Sequence, residues 1–349
     1  MSRTADLFPT IDSVLRSASG KSFTGAVVRV EHRGAPVFER AYGLTRDDAA
    51  GLPVLVDSAF DLASLSKLFT ATIALRAVSD GLVALDEPLA RWFPSWRGTA
   101  HEPITLRMLL AHSSGINSGA DYRELLGSNV EEFALARELV GVPGEAVVYS
   151  DLGFIVVGVL CERLYERSLA SLVEALMRSP RLSYRPRLHA RAAIPATEDD
   201  GWRGRVQGFV HDEKAYLMGG VAGHAGLFGN ALDVARLGEI YLGPLRGRPN
   251  HLLPEALVRE ATSRQADDPT LLHRGLGWAL KAADTNSCGR FFARESFGHT
   301  GFVGTCIWID PTRDLCGVLL TNSVYYGRND TRDLRAAVYE GMIVDLGLQ

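Results

Sequence analysis

Strand-forming runs stand at the two ends of this chain with most of its length between them, and that separation constrains the fold more than any other feature. Near the start, Gly25-Ala-Val-Val-Arg-Val-Glu-His32 and Pro36-Val-Phe-Glu-Arg-Ala-Tyr42 flank a turn at Arg33-Gly34, the pattern of a β-hairpin. Near the end, Gly304-Thr-Cys-Ile-Trp-Ile-Asp310 and Leu315-Cys-Gly-Val-Leu-Leu-Thr321 bracket Pro311-Thr-Arg-Asp314. Short helices, near 11–17 and over 330–346, lie outside the two strand pairs. A lone hairpin is marginal in water, so the economical solution joins both ends in one antiparallel sheet with the terminal helices on one face. What lies between is then an inserted, mostly helical region. The expected class is α+β, with a sheet domain from 1–62 and 275–349, a helical domain from 63–274, and an active site between them.

Within the insert, 64–79 carries apolar residues at helical spacing, with Asp61 placed to act as its N-cap. Residues 152–165 read as a second apolar helix. The stretch 180–208, rich in Arg, Pro and Ala, has no steady period and reads as a long loop over the cleft.

Chemistry is concentrated in three short segments in a fixed order. Ser64 and Lys67 stand three apart, hence on one helical face. Tyr149-Ser150-Asp151 precedes the second helix, and His299-Thr300-Gly301 precedes a strand. A Ser-x-x-Lys pair by itself is weak in a chain with 23 serines. Only four of the 37 basic residues are lysine, however, so a lysine beside this serine is less easily a surface ornament. A serine hydroxyl is a poor nucleophile at neutral pH. A lysine within reach supplies either a proton acceptor or a field that turns a neighbouring tyrosine into one. For Lys67 to be mostly neutral at pH 7 its value would have to fall by about three from ~10.4, a cost of roughly 4 kcal/mol. These residues leave open whether Lys67 or Tyr149 takes the proton. Ser64, at a helix start, has an amide with no intrahelical partner, suited to one half of an oxyanion hole.

The ordered trio resembles the serine β-lactamase and penicillin-binding-protein superfamily, in the branch with Tyr-x-Asn/Asp as second motif and His/Lys-Thr-Gly as third. Ile104-Thr-Leu-Arg-Met-Leu-Leu-Ala-His-Ser-Ser-Gly115, Tyr149-Ser-Asp-Leu-Gly-Phe154 and Gly219-Gly-Val-Ala-Gly-His-Ala-Gly-Leu-Phe228 resemble the same branch, so the likeness covers nearly the whole chain. It implies a β-lactamase/transpeptidase-like fold, with Ser64, Lys67 and Tyr149 catalytic and the amides of Ser64 and Phe302 as oxyanion hole. Asp151, His299, Thr300, Gly301 and His224 are expected near the substrate. Asp151 stands where many relatives carry Asn, and a carboxylate there would raise the lysine and favour Tyr149 as base. His299 replaces the commoner lysine and carries full charge only at lower pH. His112, His224 and His211-Asp212 are read first as structural, with His224 having the better claim to the cleft because its glycine neighbours let the chain pass close to bound acyl groups.

Composition bounds the rest. The 349 residues are 46% hydrophobic, enough for a substantial core. A net charge of −4 without a basic stripe offers no surface for nucleic acid or an anionic membrane. Cys161, Cys288, Cys306 and Cys316 lack metal-ligand or redox spacing, so neither a metal nor a disulfide framework is expected. No cofactor is implied. Nothing in the first ten residues looks like a leader, which points to the cytoplasm. The resulting expectation is a serine acyl hydrolase acting on a small ester or amide through an acyl-serine intermediate. An intracellular acyltransferase, a β-lactamase or D,D-peptidase, and a silent binding or sensor module are the alternatives.

Overall fold

The computed structural model describes residues 8–119, 121–267 and 272–349. Residues 1–7, which the leader reading concerns, lie outside the described residues. Arg33 (φ 55°) and Gly34 (φ 76°) both take left-handed backbone, the geometry of a two-residue turn that joins β1 (Gly25–His32) to β2 (Ala35–Gly43). The C-terminal part supplies β3 (Leu272–Arg274), β4 (Ala279–Lys281), β5 (Phe297–Thr300), β6 (Cys306–Asp310) and β7 (Leu315–Thr321). All seven form one antiparallel sheet in the order β2-β1-β7-β6-β5-β4-β3. The two ends of the chain meet where β1 pairs with β7, Ala26 opposite Thr321 and His32 opposite Leu315. The architecture is the expected α+β arrangement.

Every residue of β7 is buried, because both faces of the sheet are covered. Side chains alternate between the faces with period two. Leu315 and Leu319 join the cluster of Ile11 and Leu15 from α1 (Pro9–Ala18) and of Val338, Tyr339 and Met342 from α5 (Arg332–Asp345). Cys316, Val318 and Leu320 face the larger cluster, with Phe69 of α2 (Ser66–Ser79) and Leu237 of α4 (Ala231–Leu245). Each large side chain so buried contributes about 1.5–3 kcal/mol. The terminal helices are tied together at their ends, since Asp345 accepts from the amides of Thr10 and Ile11, each at 3.1 Å. That carboxylate sits at the positive end of α1, where an anion is favoured.

The insert is organised around α2 and α3 (Asp151–Tyr165), both buried along most of their length. A helix that is apolar on nearly every side belongs in the middle of a packed layer. All four cysteines are buried and free. Among the described residues no helix is long and apolar enough to cross a membrane.

Three local expectations need correction. The α-helix begins at Ser66, and Ser64 lies in a preceding 3₁₀ turn, Ala63–Leu65. Asp61 does not cap α2; its carboxylate accepts from the amides of Ala63 at 2.8 Å and His211 at 2.7 Å. The segment 180–208 is not a featureless loop. Ser183–Tyr184 pairs with Leu227–Gly229, a 3₁₀ turn runs from Leu188 to Ala193, and Asp199–Asp200 pairs with Gly204–Arg205. Strand pairs this short bury too few residues to leave a period in the sequence.

Candidate active site

Ser64 is presented by a strained turn. Ala63 takes φ +46°, a left-handed backbone that costs a residue with a Cβ on the order of 1 kcal/mol and is held here by the Asp61 clamp on its amide. One turn later Lys67, wholly buried on α2, donates from Nζ to Ser64 Oγ at 2.9 Å. The same ammonium meets Asp151 Oδ1 at 2.8 Å and the carbonyl of His224 at 3.3 Å. Burial opposes its charge, but the carboxylate of Asp151, followed by the phenol of Tyr149, outweighs burial and holds Lys67 above its ordinary value.

Tyr149 and Asp151 are placed by the residue between them. Ser150 is the N-cap of α3, its Oγ accepting from Gly153 at 3.0 Å, so Asp151 stands in the first turn and Tyr149 just outside it. The Tyr149 ring centroid lies 5.0 Å from Lys67 Nζ. His112 packs against that ring at 4.4 Å between centroids, and its Nδ1 accepts from the Ser150 amide at 3.1 Å, which puts the ring proton on Nε2. Burial, then the charges of Arg274 and Lys67, keep His112 well below the ordinary imidazole range. His112, expected in a structural role, thus supports Tyr149 and Ser150 of the Tyr-Ser-Asp segment.

β5 delivers the third motif. His299 donates from Nδ1 to its neighbour's carbonyl, that of Thr300, at 2.9 Å, and its Nε2 is buried without a partner among the described residues. Burial, then Lys67 and Arg274, push it down to about 3, so it is neutral at any ordinary pH. At Gly301 a Cβ would stand 2.0 Å from Thr305 Oγ1 and 2.9 Å from the Leu62 carbonyl, so only glycine lets β5 approach the serine turn this closely. Among the described residues the amides of Ser64 and Phe302 have no hydrogen-bond partner. Ser64, Tyr149, Thr300, Gly301 and Phe302 line one cavity of about 320 Å³. A second cavity of about 370 Å³ shares Tyr149, Thr300 and Arg335 with it and adds His299, Arg274 and Arg332.

The structure therefore gathers Ser64, Lys67, Tyr149, Asp151, His299, Thr300, Gly301 and Phe302. His224 is a correction: its ring is fully buried, faces neither cavity, and donates from Nε2 to Asp212 at 2.7 Å. It reaches the site only through its carbonyl on Lys67. Asp151 likewise lines neither cavity and is spent between two ammonium groups. Sequence reasoning misses Lys214, whose Nζ is 3.1 Å from the second oxygen of Asp151, and Arg335, which donates to the Gly301 carbonyl at 2.9 Å. The rarity of lysine was a usable signal for the first; nothing in the local pattern marks the second. Among the described residues no group of three or more His, Cys, Asp or Glu side chains is arranged to hold a metal ion.

A serine at a strained turn before a buried lysine, with a tyrosine beside both, under an antiparallel sheet closed by the two chain ends, defines a serine hydrolase of the β-lactamase and penicillin-binding-protein superfamily. The chain belongs to the Beta-lactamase family, whose model matches residues 11–340. It is 32% identical to "Esterase EstB" of Burkholderia gladioli, covering 96% of each chain. It is 30% identical to a "Putative D-alanyl-D-alanine carboxypeptidase" of Escherichia coli (strain K12), over 75% of this chain and 68% of that protein. Among solved structures it resembles "EstCE1, a hydrolase with promiscuous acyltransferase activity", with TM-score 0.78 and 21% identity over 96% of this chain and 99% of the other.

Proposed function

We infer that this protein is an esterase-type serine acyl hydrolase in which Ser64 is the nucleophile, Tyr149 the general base and Lys67 a permanent cation. The observation that carries this reading is the buried Lys67, 2.8 Å from Asp151 and 2.9 Å from Ser64 Oγ. An ammonium held above its ordinary value is a poor proton acceptor but a strong stabiliser of a neighbouring phenolate. Tyr149 takes the Ser64 proton as Oγ attacks the carbonyl carbon. The oxyanion is received by the amides of Ser64 and Phe302, each such donor contributing about 10²–10³ in rate. The departing alkoxide takes the proton back from Tyr149, and the same residue then activates water to release the acid. An ester is favoured over an amide because a relative matched over 96% of each chain is named an esterase, and because neutral His299 places no fixed charge beside the scissile group.

A second reading, D,D-carboxypeptidase, is favoured by the cavity beyond Thr300. Its lining carries Arg274, Arg332 and Arg335, an excess of guanidinium groups over the one carboxylate, Asp330, that pairs with Arg332 at 3.3 Å, and such an excess suits a substrate carboxylate. Intact-protein mass after exposure to p-nitrophenyl esters, a chromogenic cephalosporin, a D-alanyl-D-alanine peptide and a fluorophosphonate tests both. The expected result is an acyl adduct on the parent, absent in Ser64→Ala, forming fastest with the esters. Fastest reaction with the peptide selects the second reading, and no adduct with any probe overturns both.

A further inference from the structure

Behind the reacting groups five ionisable side chains form a closed line. Lys67 meets Asp151 Oδ1 at 2.8 Å, Asp151 Oδ2 meets Lys214 Nζ at 3.1 Å, and Lys214 meets Asp212 Oδ2 at 3.1 Å. Asp212 Oδ1 accepts from His224 Nε2 at 2.7 Å, and the His224 carbonyl returns to Lys67 Nζ at 3.3 Å. The members come from α2, from α3, from the short helix Glu213–Leu217 with its N-cap Asp212, and from the glycine-flanked turn at 224. Lys67 and the His224 ring are fully buried, and the side chains of Lys214 and Asp212 are 10% and 22% exposed. Charges alternate, so Lys214 draws on the Asp151 carboxylate that Lys67 uses, and Asp212 in turn draws on Lys214.

The other ionisable groups facing this line are Tyr149, His112, His299, Arg274, Asp61, whose buried carboxyl is raised by burial and by the neighbouring Asp212, and Tyr122, which lies under Lys214 with its ring centroid 4.4 Å from Nζ. His112 and His299 are held neutral, chiefly by burial, and arginine keeps its proton at every working pH. The charge felt at the Ser64 end is therefore adjusted from the far end of the line. Resting on the acyl-hydrolase reading above, we propose that Lys214 and Asp212 are positioning residues that set, through Asp151, the field at Lys67 and Tyr149 and hence the pH range over which Ser64 is acylated. Neither touches substrate. A merely structural pin would lower activity without moving that range.

The two residues act with opposite sign, which supplies the test. Lys214→Met removes a cation, so the phenolate is less favoured and the acid limb of the acylation rate moves up. Asp212→Asn removes an anion, and the limb moves down. Each displacement is expected to be on the order of one pH unit, and Lys214→Met with Asp212→Asn together to return the limb near the parent's. The measurement is the pH dependence of p-nitrophenyl acetate acylation by stopped flow. In parallel, ¹³Cε NMR follows the Lys67 side chain, whose signal is assignable because the chain has four lysines. Lys67 should titrate higher in Lys214→Met and lower in Asp212→Asn. Displacements of one sign in both variants, or none in either, overturn the proposal. If the parent is not acylated at all, the acyl-hydrolase reading fails, and the Lys67 titration alone still decides whether Lys214 and Asp212 set its charge.

Discussion

Replacing Asp151 with Asn keeps the shape of the site and removes the charge that holds Lys67 protonated. Opposite unit charges 2.8 Å apart at an effective dielectric of ~20 attract by about 6 kcal/mol, on the order of four pH units. The Asp151 side chain keeps 22% of its surface exposed, so water screens the loss, and half of that figure, about two pH units, is the working expectation. The sign follows from the roles. Without the carboxylate the ammonium loses its proton more easily, and the phenolate, no longer facing an anion, forms more easily. The alkaline limb of the pH–rate profile, where Lys67 discharges, should move down by about two pH units, and the acid limb should move in the same direction by less. Were neutral Lys67 the base instead, the parent would still gain rate through pH 10 and the Asn variant would hold a plateau at high pH. The assay is the rate of p-nitrophenyl acetate acylation from pH 5 to 11 under single-turnover conditions. A profile for Asp151→Asn that overlays the parent, or a high-pH plateau, refutes the assignment of Tyr149 as base.

Three further outcomes follow from particular contacts. Gly301→Ala puts a methyl group 2.0 Å from Thr305 Oγ1; thermal unfolding should report a loss of about 1–3 kcal/mol, and kcat for ester hydrolysis should fall by about 10² as the Phe302 amide is displaced. His299, pushed down to about 3 by burial first and then by Lys67 and Arg274, contributes stability that is whole above the ~6.5 of an unfolded imidazole and is lost as pH falls from there toward 3. Urea midpoints of His299→Gln should accordingly fall less steeply than the parent's across that window. Asp345→Ala frees the amides of Thr10 and Ile11, and should cost about 1 kcal/mol in urea unfolding while kcat/KM stays unchanged.

Much of the site was legible because its residues are local in the chain. Ser64 and Lys67 meet through one helical turn, and Ser150 caps the helix that carries Asp151, so neither relation waits on the rest of the fold. The hairpin at Arg33-Gly34 is equally local, written in two residues that accept left-handed backbone. Asp61 misled for the same reason: its position suits a cap, yet its carboxylate also serves the amide of His211 from a distant segment. His224 misled in the opposite direction. Its glycine neighbours suggested exposure to substrate, while Asp212 holds its ring in the interior.

The chain's own order determined which groups would meet at the candidate site and that both ends would share a sheet, because hydrogen-bonding turns and helical spacing act over a few residues and leave periods behind. Tertiary structure alone decided the electrical state of those groups. Whether Lys67 keeps its proton, whether His299 carries one, and what Lys214 and Arg335 contribute depend on burial and on charges brought within a few ångströms from remote segments. Coulomb energies fall with distance through space and take no account of separation along the backbone.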